Sequence, residues 1–349
     1  MKSGFVSIVG RPNVGKSTLL NKLLNQKIAI TSDKVGTTRN TIYGIYNDED
    51  SQIVFVDTPG INKATSKLGE VLNNKAYSSF DNDLVLFLVD IASGFGPNDN
   101  RILNRLKEDN KDVIRPVYSY EDIYACEKEN KIAALLTIED AGALEGSLMN
   151  LKTVYEQGVR LITLTWNHIN EVGFPNFKIE ADTYGDIEEK PNFKIPNTEF
   201  GLTDFGVELI REMERLGIIV DVSHLSDAGF YDVLKYSKKP FVASHSNSRK
   251  ITNVVRNLTD DMIRKLADKG GLTGINFCSD FIKTTSHIGN TFTYVDDIVK
   301  HIKYIRNVGG LDVIALGTDF DGIPSTLEIK DASQIQILAD GLLKNGFSY

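Results

Sequence analysis

The sequence predicts an α/β protein in two parts. The first is an incomplete sheet built on a phosphate-binding loop, and the second is most of a β/α barrel. Three observations predict this. A G-x-x-x-x-G-K-[ST] loop at residues 10–17 stands between a short apolar run and a run with helical spacing. From about residue 131, short apolar runs alternate with amphipathic stretches, the pattern of a parallel sheet with outer helices. Residues 1–114 carry 14 Lys/Arg and 13 Asp/Glu, whereas residues 115–349 carry 25 and 34 and all five histidines.

Length and composition set the limits. A chain of 349 residues suits two domains or one large barrel with additions. Its 41% apolar and 25% charged residues are ordinary globular usage and exclude a wholly disordered or coiled-coil chain. No run approaches the roughly 18–20 apolar residues of a membrane span, and the first residues lack a signal-peptide pattern. Two cysteines, Cys126 and Cys278, make no disulfide framework, so a cytoplasmic location is expected. A net charge of −8 disfavours nucleic acid as a partner.

In the first part, residues 5–9 read as a buried strand that enters the loop. Gly10 and Gly15 let the backbone curl so that its N–H groups, with Asn13, Val14 and Thr18 alongside, face phosphate oxygens. Lys16 suits the outer phosphates and Ser17 a magnesium ion. Strands follow near 41–46, 52–56 and 84–90. The third strand runs into Asp57-Thr58-Pro59-Gly60, where an acid at a strand tip can hold magnesium and Gly60 can offer its N–H. Gly36-Thr37-Thr38-Arg39 lies between the two loops.

GRPNVGKSTLLNKLL, the segment ending GTTR, and FVDTPGI closely resemble the Era family of bacterial GTPases over about residues 2–112. The resemblance implies GTP as ligand, with Thr37 and Thr38 in a switch, Ser17 and Thr38 as magnesium ligands, and Asp57 as the acid behind them. Asn13 stands where relatives place a potassium ligand. Ile61 keeps that family's hydrophobic residue after DTPG. The family's Asn-Lys-x-Asp guanine motif is absent from this chain, as are counterparts of its last strand, last helix and RNA-binding KH domain. Phosphate binding without strict guanine choice, and no RNA partner, are therefore expected.

In the second part, candidate strands are 132–138, 160–165, 218–222, 240–244, 271–277 and 313–317, with a helix over 204–216 among those between them. Glu139, His224, His245 and Asp319 each follow the end of a strand. A lone residue of this kind is ordinarily structural. Four at four strand ends share the C-terminal face where barrel active sites are built, and imidazole with carboxylate suits zinc. His168, His287 and His301 have no such placement and read as surface or structural.

LLTIEDAGALEG, LTLTWN, GLTDFGVELIREMERLGIIVDVSHLS, PFVASHSNSRKITNVVRNLTDDMI and ALGTDFDG are similar, in order, to the membrane (renal-type) dipeptidase family over about residues 115–345. The resemblance implies a (β/α)8 metal-dependent hydrolase barrel and two-zinc hydrolysis of dipeptides, including those with a C-terminal D-residue. It implies Glu139 as the carboxylate shared by both zincs, and His224 and His245 as ligands of one. Arg256 would hold the substrate carboxylate, Asp319 would handle the proton of the water or leaving amine, and Trp166 and Asn167 would line the pocket. The family's His-x-Asp pair is absent from this chain, so one zinc keeps three ligands and the other at most Glu139.

The two resemblances meet near residues 110–116 without a linker, which divides the chain into 1–114 and 115–349. Three readings stand: a metallodipeptidase with a reduced nucleotide-binding part, a GTP-binding protein with an inactive barrel, and a non-functional chimera. Zinc, GTP with magnesium, and potassium are the expected cofactors. A dipeptide and GTP are the expected ligands, no membrane partner is expected, and a homo-oligomer would cover open sheet edges.

Overall fold

The computed structural model describes residues 2–29, 38, 40–47, 51–64, 66–82, 84–88, 96–178, 194–283, 292–320, 323 and 326–348. These form two compact units, Met1–Ala134 and Leu135–Tyr349.

The first unit is built on a four-stranded sheet of β1 (Lys2–Gly10), β2 (Ile42–Asn47), β3 (Ser51–Asp57) and β4 (Leu84–Leu88), in the order β2-β3-β1-β4. β1 pairs parallel with β3 and β4, and β2 pairs antiparallel with β3. Successive side chains of β1 point to opposite faces, so Ile8 and Val9 enter different cores. Ile8 packs with Leu20, Ala29 and Phe55, and Val9 with Ile61, Ala76, Phe80 and Ile102. The register sets Ile8 beside Asp57, which brings the loop after β1 next to the turn after β3. Residues 89–90 of the expected 84–90 strand, together with Gly36, Thr37 and Arg39, lie outside the described residues.

Two further strands, β5 (Ile114–Pro116) and β6 (Ile132–Ala134), form a separate parallel ladder around the helix Tyr120–Glu129. Ser119 caps that helix, accepting from Asp122 N. This ladder explains a departure from the sequence reading. The single strand expected over 132–138 is two strands, because 132–134 pairs with β5 while β7 (Leu136–Glu139) pairs with another sheet. For the same reason the compact units divide after Ala134, later than the 114/115 seam in sequence resemblance.

The second unit is a six-stranded parallel sheet. It contains β7, β8 (Val159–Thr163), β9 (Ile219–Asp221), β10 (Val242–Ala243), β11 (Leu272–Ile275) and β12 (Ile314–Leu316). The order is β12-β11-β10-β9-β8-β7, and the described ladders leave β7 and β12 as edges. All five expected strands after residue 139 are present but shorter than expected, because the apolar runs extend past the paired residues at one or both ends. The helix Asp204–Leu216 is as expected; Thr203 caps it, and Gly217 ends it at φ 84°. Its Leu209, Ile210 and Met213, at helical spacing, enter one core with Val220, Val233, Ile263, Leu266, Ile302 and Ile305. Gly274 and Gly317 pass so close to the Ser244 carbonyl oxygen that a Cβ on either would collide with it. The strand ends that carry the candidate site are thereby held in close contact.

No helix of the described residues is long and apolar enough to cross a membrane.

Candidate functional site: a histidine–carboxylate cluster on the barrel sheet

Parallel strands put their C-terminal ends on one edge, so residues scattered through the sequence meet there. Glu139 is the last residue of β7, His224 follows β9, and His245 follows β10. Glu139 Oε1 lies 3.0 Å from His224 Nε2 and 3.4 Å from His245 Nε2. The two Nε2 atoms are 3.0 Å apart. Among the described residues, Glu139, His224 and His245 are the group of His, Cys, Asp and Glu side chains close enough together that it could hold a metal ion.

The outer ring nitrogens are occupied. His224 Nδ1 meets Asn167 Oδ1 at 3.1 Å and His245 Nδ1 meets Ser244 Oγ at 2.7 Å. Burial, helped by the nearby Arg256 charge and opposed by Glu139, lowers the His224 pKa to about 3, so the ring is neutral. Hydrogen bonds from His224 and then His245 hold the Glu139 carboxyl well below the usual carboxylate range. A four-coordinate zinc with bonds of about 2.0–2.2 Å needs donors roughly 3.3 Å apart. The three spacings, 3.0, 3.0 and 3.4 Å, fit that requirement. The donor set of two imidazoles and one ionised carboxylate fits zinc chemically as well.

Asp221, at the end of β9, is fully buried beneath the cluster. Its Oδ1 accepts from Ser223 N, Ser223 Oγ and Ser244 N at 3.1, 2.8 and 2.8 Å. Its Oδ2 accepts from Thr163 Oγ1 and Ser244 Oγ, each at 2.6 Å. Burial pushes its pKa up, but the neighbouring His245 imidazole and these donors outweigh burial and hold it below its ordinary range. The sequence reading missed Asp221, Ser223, Ser244 and Thr163. The available signal was local: Asp221 stands three residues before His224, and Ser244 directly before His245.

Arg256 is buried on the cluster, with NH2 3.0 Å from His224 Nε2 and NH1 bonded to the Ser223 carbonyl oxygen. Burial lowers its pKa to about 10, a value at which it stays charged, with Asp319 the foremost opposing charge. Asp319 takes a left-handed backbone, φ 60°, and accepts from Asn276 Nδ2 at 3.1 Å. Trp166 is half-exposed, its ring centroid 6.3 Å from that of His224. His168 pairs with Asp140 at 2.8 Å. His301 is buried between Ser248 N and the Ile282 carbonyl oxygen, and His287 lies outside the described residues.

The first unit carries a separate cluster. Gly10, Asn13 and Gly15 take positive φ values of 155°, 65° and 90°, which curl the loop ahead of the helix Lys16–Leu23. Val14 lies in this loop and Thr18 in the helix's first turn. Lys16 Nζ donates to Gly10 O at 3.2 Å and Arg11 O at 2.7 Å, and burial lowers its pKa to about 8 against the pull of Asp57. Ser17 Oγ donates to Asp57 Oδ2 at 2.6 Å and lies 3.1 Å from Thr38 Oγ1. Asp57 is buried, which raises its pKa, and its Oδ1 has no hydrogen-bond partner among the described residues. Three oxygen-bearing side chains and an orphaned carboxylate oxygen fit a hard cation such as magnesium. Ile61 N donates to Gly10 O at 3.0 Å, and a Cβ on Gly60 would meet Pro12, so the turn after β3 is closed onto the loop.

Residues 99–349 match the membrane dipeptidase family, peptidase family M19. The chain belongs to that family. Residues 5–119 of this M19 chain match a second family, described as 50S ribosome-binding GTPase, so the chain is a two-part fusion. An uncharacterized protein in the pqqA 5′ region of Klebsiella pneumoniae is 33% identical over 246 residues, covering 70% of this chain and 86% of its own length. The GTPase Era of Clostridioides difficile is 40% identical over 182 residues, covering 51% of this chain. The chain spans 60% of the length of that GTPase. Among solved structures, a metallo peptidase from Rhodobacter sphaeroides, liganded with a phosphinate mimic of the dipeptide L-Ala-D-Ala, matches with TM-score 0.63 at 19% identity. That match covers 100% of this M19 chain and 94% of the other, and at this identity it bears on the fold alone.

Proposed function

We propose that the chain encodes a zinc-dependent dipeptidase whose N-terminal part binds magnesium and the phosphates of GTP. The observation that carries the peptidase reading is the convergence of His224 Nε2, His245 Nε2 and Glu139 Oε1 within 3.4 Å of one another, with both outer ring nitrogens engaged elsewhere.

Glu139, His224 and His245 would hold zinc. Bound there, zinc polarises a scissile carbonyl and makes an attacking water more acidic. The remaining work falls to the chain. Arg256, charged and buried on the cluster, binds the carboxylate of a dipeptide through its fork of donors. Trp166 supplies an apolar wall. Asp319, held by Asn276, moves the proton between water and leaving amine. Asn167 fixes the ring of His224. The compact geometry and the Arg256 anchor favour substrates with a free carboxylate one residue from the scissile bond. An L,D-dipeptide such as L-Ala-D-Ala is a natural probe. Zinc-loaded protein should hydrolyse it, and Glu139→Gln, His224→Ala and Arg256→Met should each lower kcat/KM at least about a hundredfold. Wild-type protein with bound zinc and no hydrolysis of any dipeptide would refute this reading.

A second reading rests on the Ser17, Thr38 and Asp57 oxygens. In it the chain is an Era-like nucleotide-binding protein whose barrel is inactive. Potassium at Asn13 belongs to this reading. Magnesium-dependent GTP binding lost in Lys16→Ala, with no zinc bound, would select it.

A further inference from the structure

We propose that Asp221 and Ser244 are positioning residues that lock His245 in the Nδ1–H tautomer and turn its Nε2 lone pair toward Glu139; this rests on the zinc-site reading above.

An ionised carboxylate only accepts hydrogen bonds. Asp221 receives five, from Thr163, Ser223 and Ser244, and has no exposure to water. A serine hydroxyl has one proton. That of Ser244 goes to Asp221 Oδ2 at 2.6 Å, since the opposite orientation would leave two lone pairs facing each other at that distance. Ser244 Oγ therefore meets His245 Nδ1, 2.7 Å away, only as an acceptor. A proton must therefore sit on Nδ1, and in the neutral ring Nε2 carries the lone pair. The same nitrogen faces Glu139 Oε1 and His224 Nε2.

The backbone reinforces the relay. His245 N donates to Ser223 Oγ at 3.0 Å, and Ser223 Oγ donates to Asp221 Oδ1 at 2.8 Å. The backbones of Gly274 and Gly317 run so close to the Ser244 carbonyl oxygen that a Cβ on either would collide with it, which leaves little room around Ser244. The buried Asp221 thus holds the ends of β8, β9 and β10 together through Thr163, Ser223 and Ser244. His224 is oriented differently, by the Asn167 amide oxygen. A partner of this kind on a ligating histidine raises the ring's basicity, and its removal ordinarily weakens metal affinity 10–100-fold.

The test uses the full chain. Long-range 1H–15N correlation of the imidazole groups in metal-free protein reads the tautomer directly. His245 should show Nδ1–H in the wild type and mixed tautomers in Ser244→Ala. Zinc titration against a chromophoric chelator should give a Kd about 10–100-fold higher for Ser244→Ala, with Ser244→Thr restored to within about threefold of wild type. An Nε2–H tautomer at His245 in the wild type would overturn the proposal. So would a Ser244→Ala Kd equal to that of the wild type, or a Ser244→Thr as weak as Ser244→Ala. If the wild type binds no zinc, the zinc-site reading fails, and the tautomer alone then decides the relay.

Discussion

The Nε2 atoms of His224 and His245 stand 3.0 Å apart. Each ring has its other nitrogen engaged, by Asn167 and by Ser244. As neutral rings, imidazoles placed this way would turn lone pairs toward each other, an arrangement that is unfavourable unless a cation or a shared donor lies between them. Glu139 adds negative charge to the same point. The Arg256 guanidinium, 3.0 Å from His224 Nε2, is the positive group that offsets it within the chain.

Zinc should therefore stabilise the second unit. At a free zinc concentration 100 times Kd, mass action adds about 2.7 kcal/mol to the unfolding free energy. Urea melts followed by the fluorescence of Trp166, the chain's one tryptophan, should shift to a higher midpoint with zinc. Magnesium at the same concentration should leave that midpoint in place. Equal shifts with both metals would speak against a nitrogen-rich site.

The acid limb of stability has an identifiable contributor away from the metal ligands. His301 is buried, its Nε2–H donating to Ile282 O at 3.0 Å while Ser248 N donates to Nδ1 at 3.2 Å. Burial lowers its pKa from 6.5 to about 4. Between these values the unfolded chain binds the extra proton and the folded chain does not, so stability falls as pH drops through this window. His301→Gln removes that proton. Its stability between pH 6.5 and 4 should fall less steeply than wild type, by up to about 1.4 kcal/mol per pH unit. An unchanged slope in urea melts across that range would show that His301 does not titrate there.

Nucleotide binding should be phosphate-led. Lys16→Ala removes the loop's ammonium and should lower affinity for a fluorescent GTP analogue at least about tenfold, and Ser17→Ala should abolish the magnesium dependence. Without an Asn-Lys-x-Asp motif, about 2–3 kcal/mol of guanine discrimination is missing. Competition by ATP should then come within about a hundredfold of GTP. A preference for GTP well beyond that would mean another element of the chain reads the base.

Much of this was legible in the sequence, for definite reasons. The phosphate loop is contiguous, so Gly10, Gly15, Lys16 and Ser17 announce themselves together. Glu139, His224 and His245 each follow an apolar run, and a parallel sheet carries such residues to one edge. The relay beneath them was not legible. Asp221 takes its partners from three strands, and burial of a carboxylate cannot be read from neighbours in sequence. The division within 132–138 was hidden for a related reason. An apolar run shows that a strand exists, but not that Ile132–Ala134 and Leu136–Glu139 pair with different sheets.

Close packing around Ser244 gives a prediction independent of metal. Gly274→Ala places a methyl against the Ser244 carbonyl oxygen. It should cost about 1–3 kcal/mol in urea-induced unfolding of the second unit. A neutral effect would mean that β10 and β11 can separate locally without cost.

Whether Glu139, His224 and His245 hold zinc decides the chemistry of the second unit. The direct measurement is the zinc content of purified full-length chain, stripped with chelator, reloaded and desalted, beside the His224→Ala/His245→Ala double variant with its folding checked by circular dichroism. About one zinc per wild-type chain is expected, and a small fraction of that in the folded variant. Equal zinc in both, or none in the folded wild type, would contradict this.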